Sequence, residues 1–201
     1  GGVDSYDIDA TVDDRGSKGA CHLYNKFNLL HPANMFVAEY ASRPPLAKIF
    51  YEDILMAAKF YGYSILIENN KYGIARYFEQ RGYDNYLLNR PEHLGSGYGS
   101  STKTKGIPSN SQDIIQAHAQ AIEAYIHFHV GRNEETGEFG KMYFERTLED
   151  WIGFKVDDRT AFDLSISSGL ALLAAQGTTI KKEKTDFNVK KFFRPGRVIL
   201  R

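Results

Sequence analysis

Over the first forty residues, apolar and aromatic positions come in short bursts rather than at helical spacing. Gly2-Val3-Asp4 reads as the end of a buried strand already under way. Residues 20 to 27 (ACHLYNKF) and 35 to 40 (MFVAEY) read as two more strands, separated by the turn-forming His31-Pro32-Ala33-Asn34. An opening on an uncapped apolar edge suggests a piece cut from a longer polypeptide, and three strands in succession predict an antiparallel meander. The period then changes. Pro44 and Pro45 open a helix whose apolar positions Leu46, Ile49, Phe50, Ile54, Ala57 and Ala58 recur at helical spacing until Gly62. Ser64-Ile65-Leu66-Ile67-Glu68 is a continuous apolar run closed by an acid, the pattern of a central strand covered on both faces. Tyr72 to Arg81 follows as a second helix, stopped by Gly82.

After Tyr86-Leu87-Leu88, the stretch from Pro91 to Asn110 is rich in Gly, Ser, Thr and Lys and holds too little apolar content to be structured by itself. It reads as a long loop, and loops of this length in compact domains are functional or disordered. From Ser111 the spacing predicts a helix of roughly five turns with Ile115, Ala119, Ile122 and Ile126 on one stripe, closed by Gly131. A polar hairpin-like insert at 133 to 140 leads to an amphipathic segment from Met142 to Phe154, then to a last helix from Ala161 to Gln176. The fold class is therefore α/β, a mixed sheet flanked by helices, and the order β-β-β-α-β-α is that of the ribonuclease H-like fold. Residues 1–176 are expected to form one such domain carrying the loop 91–110, with residues 177–201 a basic tail.

A chain of 201 residues with 42% hydrophobic and 25% charged positions is long enough to bury a core without staples. No apolar run approaches the ~20 residues that span a bilayer, so no membrane is expected. Cys21 is the only cysteine, which excludes an intrachain disulfide and suits a reducing cytoplasm. Lys plus Arg and Asp plus Glu both total 25, so the chain is not globally basic. The distribution is uneven, however. Asp4, Asp7, Asp9, Asp13 and Asp14 precede the first basic residue, Arg15, whereas Lys181 to Arg201 is strongly basic. An acidic start suits a cation, and a basic tail suits phosphate or an acidic partner. A solvated turn and a solubilising tail account for either end equally well.

Phosphodiester cleavage needs an oriented water, charge stabilisation on the phosphate and help for the departing oxygen, all of which two divalent cations about 4 Å apart can supply. Mg²⁺ takes oxygen ligands, so a few carboxylates on rigid elements suffice. Asp4 falls on a strand expected at the centre of the sheet, where a lone carboxylate is costly without a cation or hydrogen bonds. Glu68 ends the most apolar strand, at the carboxyl edge where α/β sheets bind ligands. Asp163 lies in the first turn of the last helix, where the dipole favours an anion, and Ser165, Ser167, Ser168 and Gly169 permit close packing on the sheet. Taken singly, each acid is more often a cap or an exposed charge. The argument rests on all three.

Gly2 to Asp7 (GVDSYD), Val37 to Pro44 (VAEYASRP), Ile67 to Ile74 (IENNKYGI) and Phe162 to Leu173 (FDLSISSGLALL) together resemble the C-terminal nuclease domain of phage terminase large subunits. The resemblance covers roughly residues 1 to 175, and Ile67 to Gly73 is its most specific part. It implies a ribonuclease H-like endonuclease of a DNA-packaging motor that cuts concatemeric double-stranded DNA with low sequence specificity, in the cytoplasm of an infected bacterial host. It implies two Mg²⁺ or Mn²⁺ ions, bridged by Asp4 and completed by Glu68 and Asp163. Implied partners are an N-terminal packaging ATPase of the same polypeptide, a portal ring and a small terminase subunit. No G-x-x-x-x-G-K-[ST] occurs; Gly95 to Lys103 is only a glycine-rich imitation, and the ATPase is read as cut away. The third acid is ambiguous: Asp157 and Asp158 lie just upstream. Asp163 is favoured because Ser167 supplies the family's small residue four positions later, but Asp158 stays open as a metal ligand.

Arg43, Lys71, Lys103 and Lys105 are the expected DNA-backbone cations, the last two carried with His93 on the loop 91–110 over the cleft. Asp7 and Asp9 are read as turn caps, with strand alternation pointing Asp7 away from Asp4. Glu39 is expected to pair with Arg43. His118, His127 and His129 have little metal-site character, since 127 and 129 face different sides of a helix. Most Tyr and Phe side chains are expected in the core. Two other functions fit the same residues: a non-catalytic ribonuclease H-like module docking DNA or a portal ring, and a resolvase-like junction nuclease.

Overall fold

The computed structural model describes residues 1–7, 18–26, 34–91, 94, 104–108, 112–131, 142–155 and 162–177. Strands β1 (Gly2–Asp4), β2 (Gly19–Asn25), β3 (Met35–Ser42) and β4 (Leu66–Ile67) form one mixed sheet in the order β3-β2-β1-β4. β2 runs antiparallel to both β1 and β3, the expected meander, and β4 lies parallel to β1. β1 is thus central, as read from the sequence.

Strand alternation divides the interior into two cores. Val3, Cys21, Leu23, Ile65 and Ile67 face helices α1 (Ala47–Tyr61) and α2 (Gly73–Gln80). Phe36 and Leu66 face the other way, toward α3 (Gln112–Tyr125), α4 (Glu145–Gly153) and α5 (Asp163–Gly177). Every residue of α5 from Leu164 to Ala174 is buried. A helix covered on all sides belongs between layers, and α5 lies between the sheet and its companion helices. It reaches the sheet closely because Gly2 lacks a side chain: a Cβ there would strike the carbonyl of Ser167 and the backbone of Leu170 and Ala171. Burial of side chains such as Ile166, Leu170 and Leu173 contributes about 1.5–3 kcal/mol each.

Three expectations from the pattern need correction. The stretch 91–110 is not wholly a loop: Lys105 pairs with Asn89, and Ile107, fully buried, extends β4 by bridging Glu68 in parallel. One apolar side chain suffices because Gly106, at φ +73, lets the turn press against the Ile67 carbonyl. In α1 the buried face is Ala47, Phe50, Tyr51, Ile54, Leu55 and Ala58, while Leu46 and Ile49 are exposed. In α3 it is Ile114, His118, Ala121, Ile122 and Tyr125, rather than the stripe through Ile115, Ala119 and Ile126. In both helices amphipathic side chains, Tyr51, His118 and Tyr125, turn inward, and hydropathy spacing passes over them. α3 continues as a π-helical turn, Ile126–Val130, which Gly131 closes by donating its N–H to the Ile126 carbonyl at 2.8 Å. Among the described residues no helix is long and apolar enough to cross a membrane.

Candidate active site

Two of the acids are placed by strand register alone. β1 and β4 are parallel with Gly2 opposite Leu66 and Val3 opposite Ile67, and the Glu68 N–H donates to the Val3 carbonyl at 3.0 Å. Asp4 and Glu68 therefore end neighbouring strands side by side, about 4.8 Å apart at the backbone, with both side chains on the α5 face. They are 5% and 6% exposed.

The third acid is carried in by α5. Asp163 is its first residue, and its Oδ2 accepts the Lys18 N–H at 2.8 Å where β2 begins. The serines that follow hold the helix in place. Ser165 donates both its N–H and its hydroxyl to Asp150 Oδ2 of α4, each at 2.6 Å, so Asp150 caps α5 from a neighbouring helix. Ser167 Oγ lies 2.8 Å from His22 Nδ1, and Ser168 Oγ accepts the Trp151 indole N–H at 2.9 Å. His22, fully buried on β2, also reaches Thr147 Oγ1 at 2.7 Å, and Thr147 donates to Glu39 at 2.5 Å. Burial holds the His22 imidazole neutral, pushing its pKa down to about 3, with Arg146 acting in the same direction.

Charge is concentrated at Asp4. Burial, above all, raises its pKa well above the usual carboxylate range; Glu68 adds to this through its charge and a shared hydrogen bond, and Asp163 through its charge. Lys71 opposes the shift. Its ammonium stands 3.7 Å from Asp4 Oδ1, beyond hydrogen-bonding distance, and donates instead to the Ser5 carbonyl at 2.6 Å. Asp4 Oδ1 is left buried with no hydrogen-bond partner. Asn70 donates to Glu68 Oε1 at 3.0 Å and so fixes that carboxylate. An orphaned carboxylate oxygen inside an all-oxygen donor set fits a hard divalent cation in chemistry. Asp4, Glu68 and Asp163 are the residues that would hold one. Among the described residues no three His, Cys, Asp or Glu side chains already stand in metal-ligating geometry.

The other candidates are scattered. Arg43 lies 4.6 Å from the Tyr6 ring, on the α1 side of the sheet. Lys105 donates to the Leu87 carbonyl at 2.7 Å and stitches the edge beyond β4. Lys103, His93, Asp9, Asp157 and Asp158 lie outside the described residues, as does the tail 178–201. Glu39 pairs with Arg146 at 3.7 Å and not with Arg43. Arg43 lies just beyond the end of β3 and over Tyr6 on the α1 side, whereas Glu39 faces α4 on the other side of the sheet. Asp7 accepts the Tyr51 hydroxyl at 2.8 Å and the Gly73 N–H at 3.2 Å, capping α2 on the face opposite Asp4. His118 is buried against Gly169, whereas His127 and His129 sit on the exposed π turn. Most of the described Tyr and Phe side chains belong to or pack against the two cores, as expected, while Phe60, Tyr61, Tyr72, Phe128 and Tyr143 are more than half exposed. Sequence reasoning missed Asp150, Lys18 and the His22 chain, for which spacing gives no signal. Asn70 and Lys71 both fall in the Ile67 to Ile74 segment already singled out, Lys71 as a DNA-backbone cation.

Comparison of the chain with protein-family models, with curated proteins and with solved structures finds no match.

Proposed function

We propose that this chain is a divalent-metal-dependent DNA endonuclease domain of ribonuclease H-like fold, the nuclease portion of a phage terminase large subunit that cuts concatemeric DNA during packaging. The observation that carries the reading is that Asp4 and Glu68 end neighbouring strands side by side within electrostatic reach of Asp163, with Asp4 Oδ1 buried and lacking a hydrogen-bond partner. The sheet order β3-β2-β1-β4, with a helix bringing the third acid, supports the fold assignment.

In this reading the three carboxylates hold the cations, and Asn70 orients Glu68. Lys71 balances the charge of Asp4 and lies close enough to meet a phosphate. Bound Mg²⁺ or Mn²⁺ supplies charge neutralisation on the scissile phosphate and a water of lowered pKa. The partners are double-stranded DNA and, by resemblance, a packaging ATPase of the same polypeptide, a portal ring and a small terminase subunit.

One observation favours a second reading, a non-catalytic module that docks DNA: the Lys71 ammonium already supplies a positive charge beside Asp4. Plasmid nicking with Mn²⁺, Mg²⁺ or EDTA separates the two. Nicking that requires the metal and disappears in Asp4→Asn, Glu68→Gln and Asp163→Asn supports the nuclease. DNA binding without cutting, unchanged in all three variants, would replace it with the docking module.

A further inference from the structure

On the opposite face from the acids, at the same carboxyl edge of β1 and β4, the starts of α1 and α2 enclose an open pocket of about 500 Å³. Its walls include Lys48, Arg76, Tyr72, Tyr77, Asn70 and Asp7. We infer that this pocket is a binding subsite for one nucleotide of a DNA strand next to the acid cluster, with the phosphate on Lys48 and Arg76 and an unpaired base against Tyr72. The inference rests on the nuclease reading for its biological setting, while its physical basis is separate.

The cations point to a phosphate. The Lys48 and Arg76 side chains make no ion pair or hydrogen bond among the described residues, although both line a concave wall. Among the described lining residues the acid is Asp7, whose carboxylate is turned to Tyr51 and Gly73 and makes no ion pair with either cation, so Lys48 and Arg76 remain free to meet an anion. A guanidinium and an ammonium across one cleft suit a phosphodiester. Tyr72 supplies the second half of a nucleotide site: the residue is 62% exposed and has no ring partner among the described residues. An exposed aromatic face beside unpaired cations is the arrangement that binds single strands irrespective of sequence. Tyr77, by contrast, is committed to Glu52 and Arg81 and serves as wall. A volume of this order accommodates a small ligand of nucleotide size. Asn70 joins the two places: it lines the pocket and holds Glu68, so a strand crossing the sheet edge would pass from pocket to acids.

The test is fluorescence anisotropy with single-stranded dT10 in EDTA, over a range of salt concentrations. Replacing Lys48 and Arg76 by Ala together is expected to flatten the slope of log affinity against log salt by about 0.7 per cation removed. Tyr72→Ala should weaken binding roughly fivefold, the low end for an aromatic–base stack. Arg76→Lys keeps the charge and should retain the salt slope. All three side chains are solvent-facing, so melting temperatures should match wild type and confirm folding. An unchanged affinity and salt slope in the folded double variant would overturn the subsite. If strand binding depends on these residues while plasmid nicking never requires a metal, the nuclease reading falls and the subsite stands.

Discussion

Removing the charge of Asp4 should stabilise the protein in the absence of divalent cations. In Asp4→Asn the shape is kept, the repulsion from Glu68 and Asp163 disappears, and the new amide can donate to the Glu68 carboxylate. A buried polar atom without a partner costs about 1–3 kcal/mol, and more if charged. Taking about 2 kcal/mol, a chain of this size gains roughly 4–8 °C in Tm. The assay is thermal denaturation followed by circular dichroism in EDTA, for both proteins, from pH 4 to 8. The folded-state pKa of Asp4 is raised, mainly by burial, above its unfolded value of 3.8. Between those two values the native state keeps a proton that the unfolded state has lost. Wild-type stability therefore falls as pH rises through that window, and its deficit relative to Asp4→Asn grows and then levels off. His22 gives the opposite slope, but it is common to both proteins and cancels in the difference. Addition of Mg²⁺ at 100 times its dissociation constant should return about 2.7 kcal/mol to wild type and much less to the variant. A variant that melts at or below wild type in EDTA at pH 7.5 would refute the reasoning, because Asp4 would then be satisfied without a cation.

Further outcomes follow from the same geometry. Lys71→Met removes the charge nearest Asp4 and the donor to Ser5, and should cost about 1–3 kcal/mol in urea denaturation while keeping Asp4 protonated to still higher pH. Thr147→Val leaves His22 Nε2 and Glu39 without the hydroxyl between them and should cost a similar amount, measured the same way. Because the folded pKa of His22 lies near 3, below its unfolded 6.5, its contribution is full above pH 6.5 and is lost as pH falls; His22→Gln should flatten that part of the stability profile. Asp150→Ala uncaps α5 and should lower stability by about 1 kcal/mol. Its effect on metal-dependent nicking, through the placement of Asp163, should exceed that of Lys48→Ala. Gly2→Ala drives a methyl into the α5 backbone and should abolish soluble expression or cost about 3 kcal/mol.

The meander, the strand β4 and the helices were legible because each has a strong pattern and clear stops: Gly62 and Gly82 both take positive φ where their helices end. Asp4 and Glu68 were legible for the same reason, since a lone acid closing a buried strand is visible in one dimension. Helix faces were read less well. Tyr51, His118 and Tyr125 are buried through partners that lie far away in sequence. The edge pairing of Lys105 and Ile107 escaped notice because a single buried side chain and a left-handed glycine leave almost no hydropathy signal. The capping of α5 by Asp150 depends on how α4 packs, a tertiary fact that no local spacing records.

The three acids are contributed in an order that also has a temporal meaning. Asp4 and Glu68 come early in the sequence, before α2, whereas Asp163 begins the last described helix, and that helix is wedged between the sheet and α3 and α4. A ribosome-bound fragment lacking α5 would hold two carboxylates on an uncovered sheet face, with the third still unmade. The cluster is thus completed only after α5 has been made and has slid into its slot, so whatever reactivity it confers is withheld from any shorter nascent fragment.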